Sequence, residues 1–142
     1  MKPYSIFYLG EICLVSLQEE INDEEISTLS KELSGLVKSK KIDGIIIDLG
    51  NIEVIDTFLA DNIQKLALTM HLFRAKTVVC GLNASAILAL KSFELTFERD
   101  LVFALDAKKA LGKLGYKIVR VQGGTSRDIL GGQQRDGENK RY

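Results

Sequence analysis

Residues 44–57 read GIIIDLGNIEVIDT, and the way this stretch divides decides the fold. Gly44 to Leu49 is an apolar, β-branched run that suits a strand buried on both faces. Asp48 stands at its end, and Gly50 with Asn51 supplies a turn. A second short apolar run, Ile52 to Ile55, stops at Asp56 and Thr57. From there Leu59, Ile63, Leu66, Met70 and Phe73 recur at spacings of four, three, four and three, which is one face of a helix. Thr57 is thereby placed in a first helical turn just after a strand. Unpaired N–H groups and the positive end of the helix dipole gather there and favour an anion such as a phosphate.

Working outward toward the N-terminus, Ile6 to Leu9 and Ile12 to Leu17 are two β-favouring runs separated only by Gly10 and Glu11, the spacing of a tight hairpin. Asn22 with Glu25 three positions on forms a capping signal for a helix over about residues 23–40. Its inner face carries Ile26, Leu29, Leu33, Leu36 and Val37. Lys38, Lys40 and Lys41 follow, complementing the C-terminal end of the dipole and reading as a solvated face.

Toward the C-terminus, the helix from Thr57 runs to about Arg74, and Lys76 to Cys80 reads as another buried strand. Gly81 turns the chain and Asn83 caps a third helix with Ala86, Ile87, Leu90 and Phe93 on its inner face. Leu101 to Phe103 is a short last strand. Asp106 then caps a helix whose Ala110, Leu111 and Leu114 face inward before Gly115 closes it. Helices alternating with buried strands predict an α/β fold, with a mixed, mostly parallel sheet of about five strands and about four helices. Periodicity leaves open whether the helices cover one face of the sheet or both. Residues 1–120 form the expected domain. Residues 121–142 turn to Gly, Ser, Asp, Arg, Gln and Asn, so a disordered tail is expected, with a short contact motif around Ile129 and Leu130 as the alternative.

The whole chain has 142 residues, 46% of them hydrophobic and 27% charged, which fits one soluble globular domain. With 19 basic and 19 acidic residues the formal net charge is zero, so nothing calls for a nucleic acid or an anionic membrane surface. Cys13 and Cys80 belong to no C-x-x-C or Cys/His cluster and read as buried free thiols in a reducing compartment. The first residues have no signal-peptide pattern, and no apolar run is long enough to span a bilayer. A cytoplasmic protein without a membrane anchor is expected.

Constellations for catalysis are thin. His71 is the only histidine, and it lies mid-helix, so a Ser/His/Asp or Cys/His arrangement has a single base to draw on. No Cys, His or carboxylate pair has metal-ligand spacing, and no glycine run forms a phosphate cradle after a strand. An enzyme, a cofactor and a metal are therefore not expected, and a hydrolase or transferase built on His71 is the weakest alternative. A phospho-acceptor receiver domain would explain Asp48 and Asp56, but it needs an acidic pair after the first strand and a Lys after the last; here Glu19 and Glu20 are on the way into a helix, and the last strand leads to Ala104, Leu105 and Asp106. What remains is Asp56-Thr57, which capping preference alone would explain. The position also makes the Thr57 hydroxyl an accessible phosphate acceptor.

The succession of strand, Asp48-Leu49, spacer, Val54-Ile55-Asp56-Thr57, helix and Val78-Val79-Cys80-Gly81 resembles the STAS domain of bacterial anti-sigma factor antagonists. Its likeness is greatest to the stressosome scaffold proteins of the RsbS type, over roughly residues 5–116. The resemblance implies a non-enzymatic module that binds an RsbT-like serine/threonine kinase. It also implies assembly with RsbR-like STAS paralogues into an oligomer or larger complex, and resetting by an RsbX-like phosphatase. Thr57 matches the phosphorylated Ser or Thr, and Asp48 and Asp56 match acidic positions that flank it or contact the kinase. The chain departs from the pattern in having Thr57 where the RsbS type usually has Ser. It has Cys80 where a second phosphorylatable Thr often stands, and Asn83-Ala84 where a Pro is usual. A STAS module that binds a nucleotide or other small anion near Asp56 is the alternative.

Overall fold

The computed structural model describes residues 3–84, 86–88, 101–117 and 134–135. Strands β1 (Tyr4–Leu9) and β2 (Ile12–Leu17) form the hairpin, closed by Gly10 and Glu11 with Leu9 opposite Ile12. Gly10 has φ of 63°; a glycine with positive φ at the first central position matches the right-handed strand twist. Helix α1 (Asp23–Ser39) follows, and its full capping box joins Asn22 and Glu25. Next come β3 (Gly44–Asp48), α2 (Thr57–Leu72) and β4 (Lys76–Cys80). Residues 84 and 86–88 are helical and open α3. The order continues with β5 (Leu101–Ala104), α4 (Ala107–Lys113) and β6 (Tyr116–Lys117).

Five strands make one sheet in the order β1-β2-β3-β4-β5, with β1 antiparallel to β2 and every later pair parallel. The α/β fold with a mostly parallel five-stranded sheet agrees with the expectation from the sequence. Ile45, Ile46 and Ile47 of β3 are all fully buried, as a central strand covered on both faces requires. Alternate residues send Cys13, Val15, Ile45, Ile47 and Val79 to the face packed by α1 and α2. Ile12, Ile46, Val78 and Cys80 go to the other face, under Ala110 and Leu111 of α4. Helices thus cover both faces, which settles what periodicity left open.

Two local features differ from the simplest reading. The run Ile52 to Ile55 is not a strand but part of a loop, with Ile52 and Ile55 buried while Val54 is 70% exposed. Helix α2 stops without glycine: Arg74 takes a φ of 66° while its N–H bonds His71 O and the Ala75 N–H bonds Met70 O, a Schellman arrangement on a non-glycine residue. Leu90, Phe93, Ile129 and Leu130 lie outside the described residues. Within the segment expected to be a tail, Gln134–Arg135 (β7) pair antiparallel with β6.

Candidate functional site

Because β2, β3, β4 and β5 point the same way, the helices after them all begin at one edge of the sheet, its carboxyl edge. Each start is capped by a short Asx side chain. Asn22 accepts from Glu25 N–H at 2.9 Å, Asp56 from Leu59 N–H at 2.8 Å, Asn83 from Ala86 N–H at 2.7 Å and Asp106 from Lys109 N–H at 2.9 Å. Carboxyl edges of parallel sheets are where such folds present their sites.

The loop of residues 49–56 carries the chain from β3 to α2 and is tied down along its length. Leu49 N–H donates to Cys80 O at 2.9 Å, Gly50 N–H to Asp48 Oδ1 at 2.8 Å, and Ile52 N–H to Leu49 O at 3.0 Å. From the turn ahead of α1, the Glu19 carboxylate accepts from Glu53 N–H at 2.7 Å. With Ile52 and Ile55 buried beneath it, the loop delivers Thr57 to the surface from a fixed base.

Asp56 is the N-cap of α2 and Thr57 its first residue. The Asp56 carboxylate takes the Leu59 N–H, so capping explains Asp56 and leaves the Thr57 hydroxyl outside that role. Thr57 is exposed, and its own N–H and that of Phe58 lie in the helical turn that has no acceptor within the helix. No acidic residue follows in that first turn, whereas α1 has Asp23, Glu24 and Glu25 in its own. A negative charge added at Thr57 therefore meets the positive end of the α2 dipole, with the Asp56 carboxylate opposing it.

Asp48, at the end of β3, is engaged locally. Its carboxylate holds Gly50 N–H and sits against Gly81, whose φ is +86°. A Cβ at residue 81 would lie 2.6 Å from Asp48 Oδ1 and 2.7 Å from Gly50 N. Asp48, Gly50 and Gly81 thus form a clasp across the ends of β3 and β4. Cys80, next to it, is fully buried; burial first, then the carboxylates of Asp48 and Asp106, push its thiol up to about 12. Burial likewise raises Cys13, with Lys40 opposing. Both thiols are neutral and unsuited to nucleophilic work at ordinary pH.

His71 lies in the last turn of α2, fourteen residues beyond Thr57, so roughly 20 Å of helix separates them. They do not form a catalytic pair. Among the described residues, no group of three His, Cys, Asp or Glu could hold a metal ion, and no helix is long and apolar enough to cross a membrane. Sequence reasoning missed Glu19 and Asp106 as members of this edge, and also its apolar side chains: Val54 is 70%, Phe58 43% and Leu105 66% exposed. Val54 could have been found, since it falls out of step with Ile52 and Ile55.

A family model for the STAS domain matches residues 8–104. A comparison with curated proteins finds no match. Among solved structures, a Ser-to-Glu variant of RsbS from Moorella thermoacetica is 23% identical, with a TM-score of 0.67 over 78% of this chain and 92% of that one. A chain from a structure of the molecular architecture of the stressosome, a signal integration and transduction hub, is also 23% identical, with a TM-score of 0.68 over 78% and 95%. The anti-sigma factor antagonist SpoIIAA in its unphosphorylated form is 9% identical, with a TM-score of 0.62 over 78% and 95%. At these identities the structures speak for the fold, and the match of the family model over most of the chain is what decides membership: the protein belongs to the STAS domain family.

Proposed function

We propose that this chain is a non-enzymatic signalling module of the anti-sigma factor antagonist and stressosome type, which binds an RsbT-like serine/threonine kinase and is switched by phosphorylation of Thr57. The observation that carries this reading is the division of labour at the start of α2: Asp56 caps the helix and Thr57 stands exposed beside it, free to accept a phosphate. Val54 and Phe58 flank the hydroxyl with exposed apolar surface that a partner can cover. Phosphorylation adds roughly 1.5 to 2 negative charges within that contact area. The helix end tolerates the charge, while a partner packed on Val54 and Phe58 must desolvate it, so the modified form releases the kinase. In this reading RsbR-like paralogues share the assembly and an RsbX-like phosphatase restores the unmodified state.

The full chain incubated with an RsbT-type kinase and Mg-ATP should acquire a single phosphate, mapped to Thr57 by mass spectrometry and absent from Thr57→Ala. Phosphate on another residue that persists in Thr57→Ala overturns the site. A thermal-shift screen with nucleotides alone should show no stabilisation; a clear shift would favour a ligand-binding STAS module instead.

A further inference from the structure

The capping preferences of the helices divide the charge of the molecule between the two ends of its sheet. Acidic side chains gather where helices start: Asp23, Glu24 and Glu25 on α1, Asp56 at α2 and Asp106 at α4. Basic side chains stand where the helices end, as the dipole favours. Because β2 to β5 run parallel, these starts lie at the carboxyl edge and these ends at the opposite, amino edge. Lys38, Lys40 and Lys41 at the end of α1, Arg74 and Lys76 after α2, and Lys113 at the end of α4 are all exposed there. The carboxylates of the described turns at this edge are Glu11, paired with Lys41 at 3.6 Å, and Asp43. A formal net charge of zero thus conceals a basic surface.

Dipole preference accounts for the cations but not for the apolar side chains set among them. Tyr8, near the hairpin turn, is 47% exposed, and Leu72, the last residue of α2, is 76% exposed. Two cation–π contacts join these parts into one strip. The Lys40 ammonium lies 5.0 Å from the centre of the Tyr8 ring, and the Lys38 ammonium 5.6 Å from that of Phe73. The end of α1 is thereby tied to the hairpin on one side and to the end of α2 on the other.

We propose that this strip is a peripheral docking surface for an anionic lipid bilayer, with Leu72 and Tyr8 entering the headgroup boundary while the cations around them meet lipid phosphates. Clustered lysines and arginines together with exposed apolar tips select this occupant. A single-stranded nucleic acid needs open ring faces for stacking, whereas Tyr8 and Phe73 each carry a lysine, and a protruding leucine gains nothing from phosphates. Leu72 does gain from leaving water at the acyl boundary, and tyrosine has the amphipathic ring that membrane interfaces favour. Docking of this kind requires no spanning helix, and none of the described helices is one. Roughly 20 Å of α2 separates Leu72 from Thr57, so this surface is distinct from the carboxyl edge and does not rest on phosphorylation there.

Flotation of the full chain with vesicles tests the proposal. The chain should bind vesicles of equal parts phosphatidylglycerol and phosphatidylcholine at low salt, come off them as ionic strength rises, and ignore phosphatidylcholine alone. Lys40→Glu combined with Lys76→Glu should weaken binding roughly tenfold or more. Leu72→Ser should weaken it roughly fivefold at low and at high salt alike. Lys109→Glu, in the first turn of α4 at the carboxyl edge, should bind as the wild type does, and circular dichroism should show each variant folded. If the double reversal does not fold, Lys40→Gln and Leu72→Ser decide, each expected to bind more weakly. Absence of binding to the anionic vesicles at low salt overturns the proposal, as does binding indifferent to the lysine changes or to Leu72→Ser. Tighter binding to a single-stranded oligonucleotide or to polyglutamate than to the vesicles, at equal charge, overturns it as well.

Discussion

Replacing Gly81 by alanine tests whether the clasp at the ends of β3 and β4 is rigid. Gly81 has a φ of +86°, and a Cβ there would stand 2.6 Å from Asp48 Oδ1, 2.7 Å from Gly50 N and 3.0 Å from Gly50 Cα. The left-handed conformation alone costs a non-glycine residue about 1 kcal/mol. The overlap adds to it, because two of the three close atoms are backbone and cannot rotate away. Moving residue 50 stretches the bond from Gly50 N–H to Asp48 Oδ1 at 2.8 Å and that from Leu49 N–H to Cys80 O at 2.9 Å. Each such bond contributes about 1 kcal/mol. Gly81→Ala should therefore lower stability by roughly 3 kcal/mol, which moves the midpoint of urea unfolding down by about 1–2 M for an ordinary slope. Gly35 is the control, since it lies in α1 and a methyl group added there would meet nothing within 4 Å. Gly35→Ala should raise stability by about 0.5–1 kcal/mol. A Gly81→Ala midpoint equal to the wild type would refute the reasoning.

Asp56→Ala should cost about 1 kcal/mol through loss of the α2 cap, whereas Thr57→Ala should stay within about 0.5 kcal/mol, both read by urea unfolding. Equal losses would mean that Thr57 shares the capping role. The Thr77 hydroxyl is fully buried with no hydrogen-bond partner among the described residues, so Thr77→Val should stabilise the fold by about 1–2 kcal/mol, seen as a higher melting temperature; a loss of stability would show that the hydroxyl is satisfied. Stability should also fall as pH rises above 9, because Cys80 and Tyr4 are both raised to about 12 from ordinary values of 9.0 and 10.0. The folded state then holds protons that the unfolded chain has lost, and each group takes away up to about 1.4 kcal/mol per pH unit between its two values. Cys80→Ala should flatten the part of the pH profile that begins near 9; an unchanged slope would place the linkage elsewhere.

What could be read from the residues was what repeats locally. The unbroken β-branched run of β3 and the spacing from Leu59 to Met70 each state their own burial, so strand and helix appear where expected. The layering could not be read in this way. An inner stripe tells that a helix is covered but not by which face of the sheet, and α4 is only 7 residues long. The clasp was equally hidden, since Asp48 meets Gly81 only because the parallel register sets Asp48 beside Cys80. Nor could propensity separate Asp56 from Thr57, two residue types that cap almost equally well. Only the bond from Leu59 N–H to Asp56 Oδ1 divides them.

That division has a mechanical consequence for the proposed switch. A residue that caps its own helix is coupled to folding, and modifying it would fray the first turn along with changing the surface. Thr57 avoids this, because Asp56 holds the turn and the loop behind it is held by Asp48, Glu19 and the Cys80 carbonyl. Phosphate at Thr57 then changes charge at nearly constant backbone geometry. The phosphorylated chain should give an amide spectrum altered around residues 54–60 and unaltered at the clasp. Gly81→Ala should do the reverse, disturbing residues 48–52 first and weakening the proposed kinase binding only as far as the loop shifts. If phosphate at Thr57 instead perturbed Gly50 and Gly81 as strongly as Phe58, the loop would be a moving part of the switch and the rigid-base account would fail.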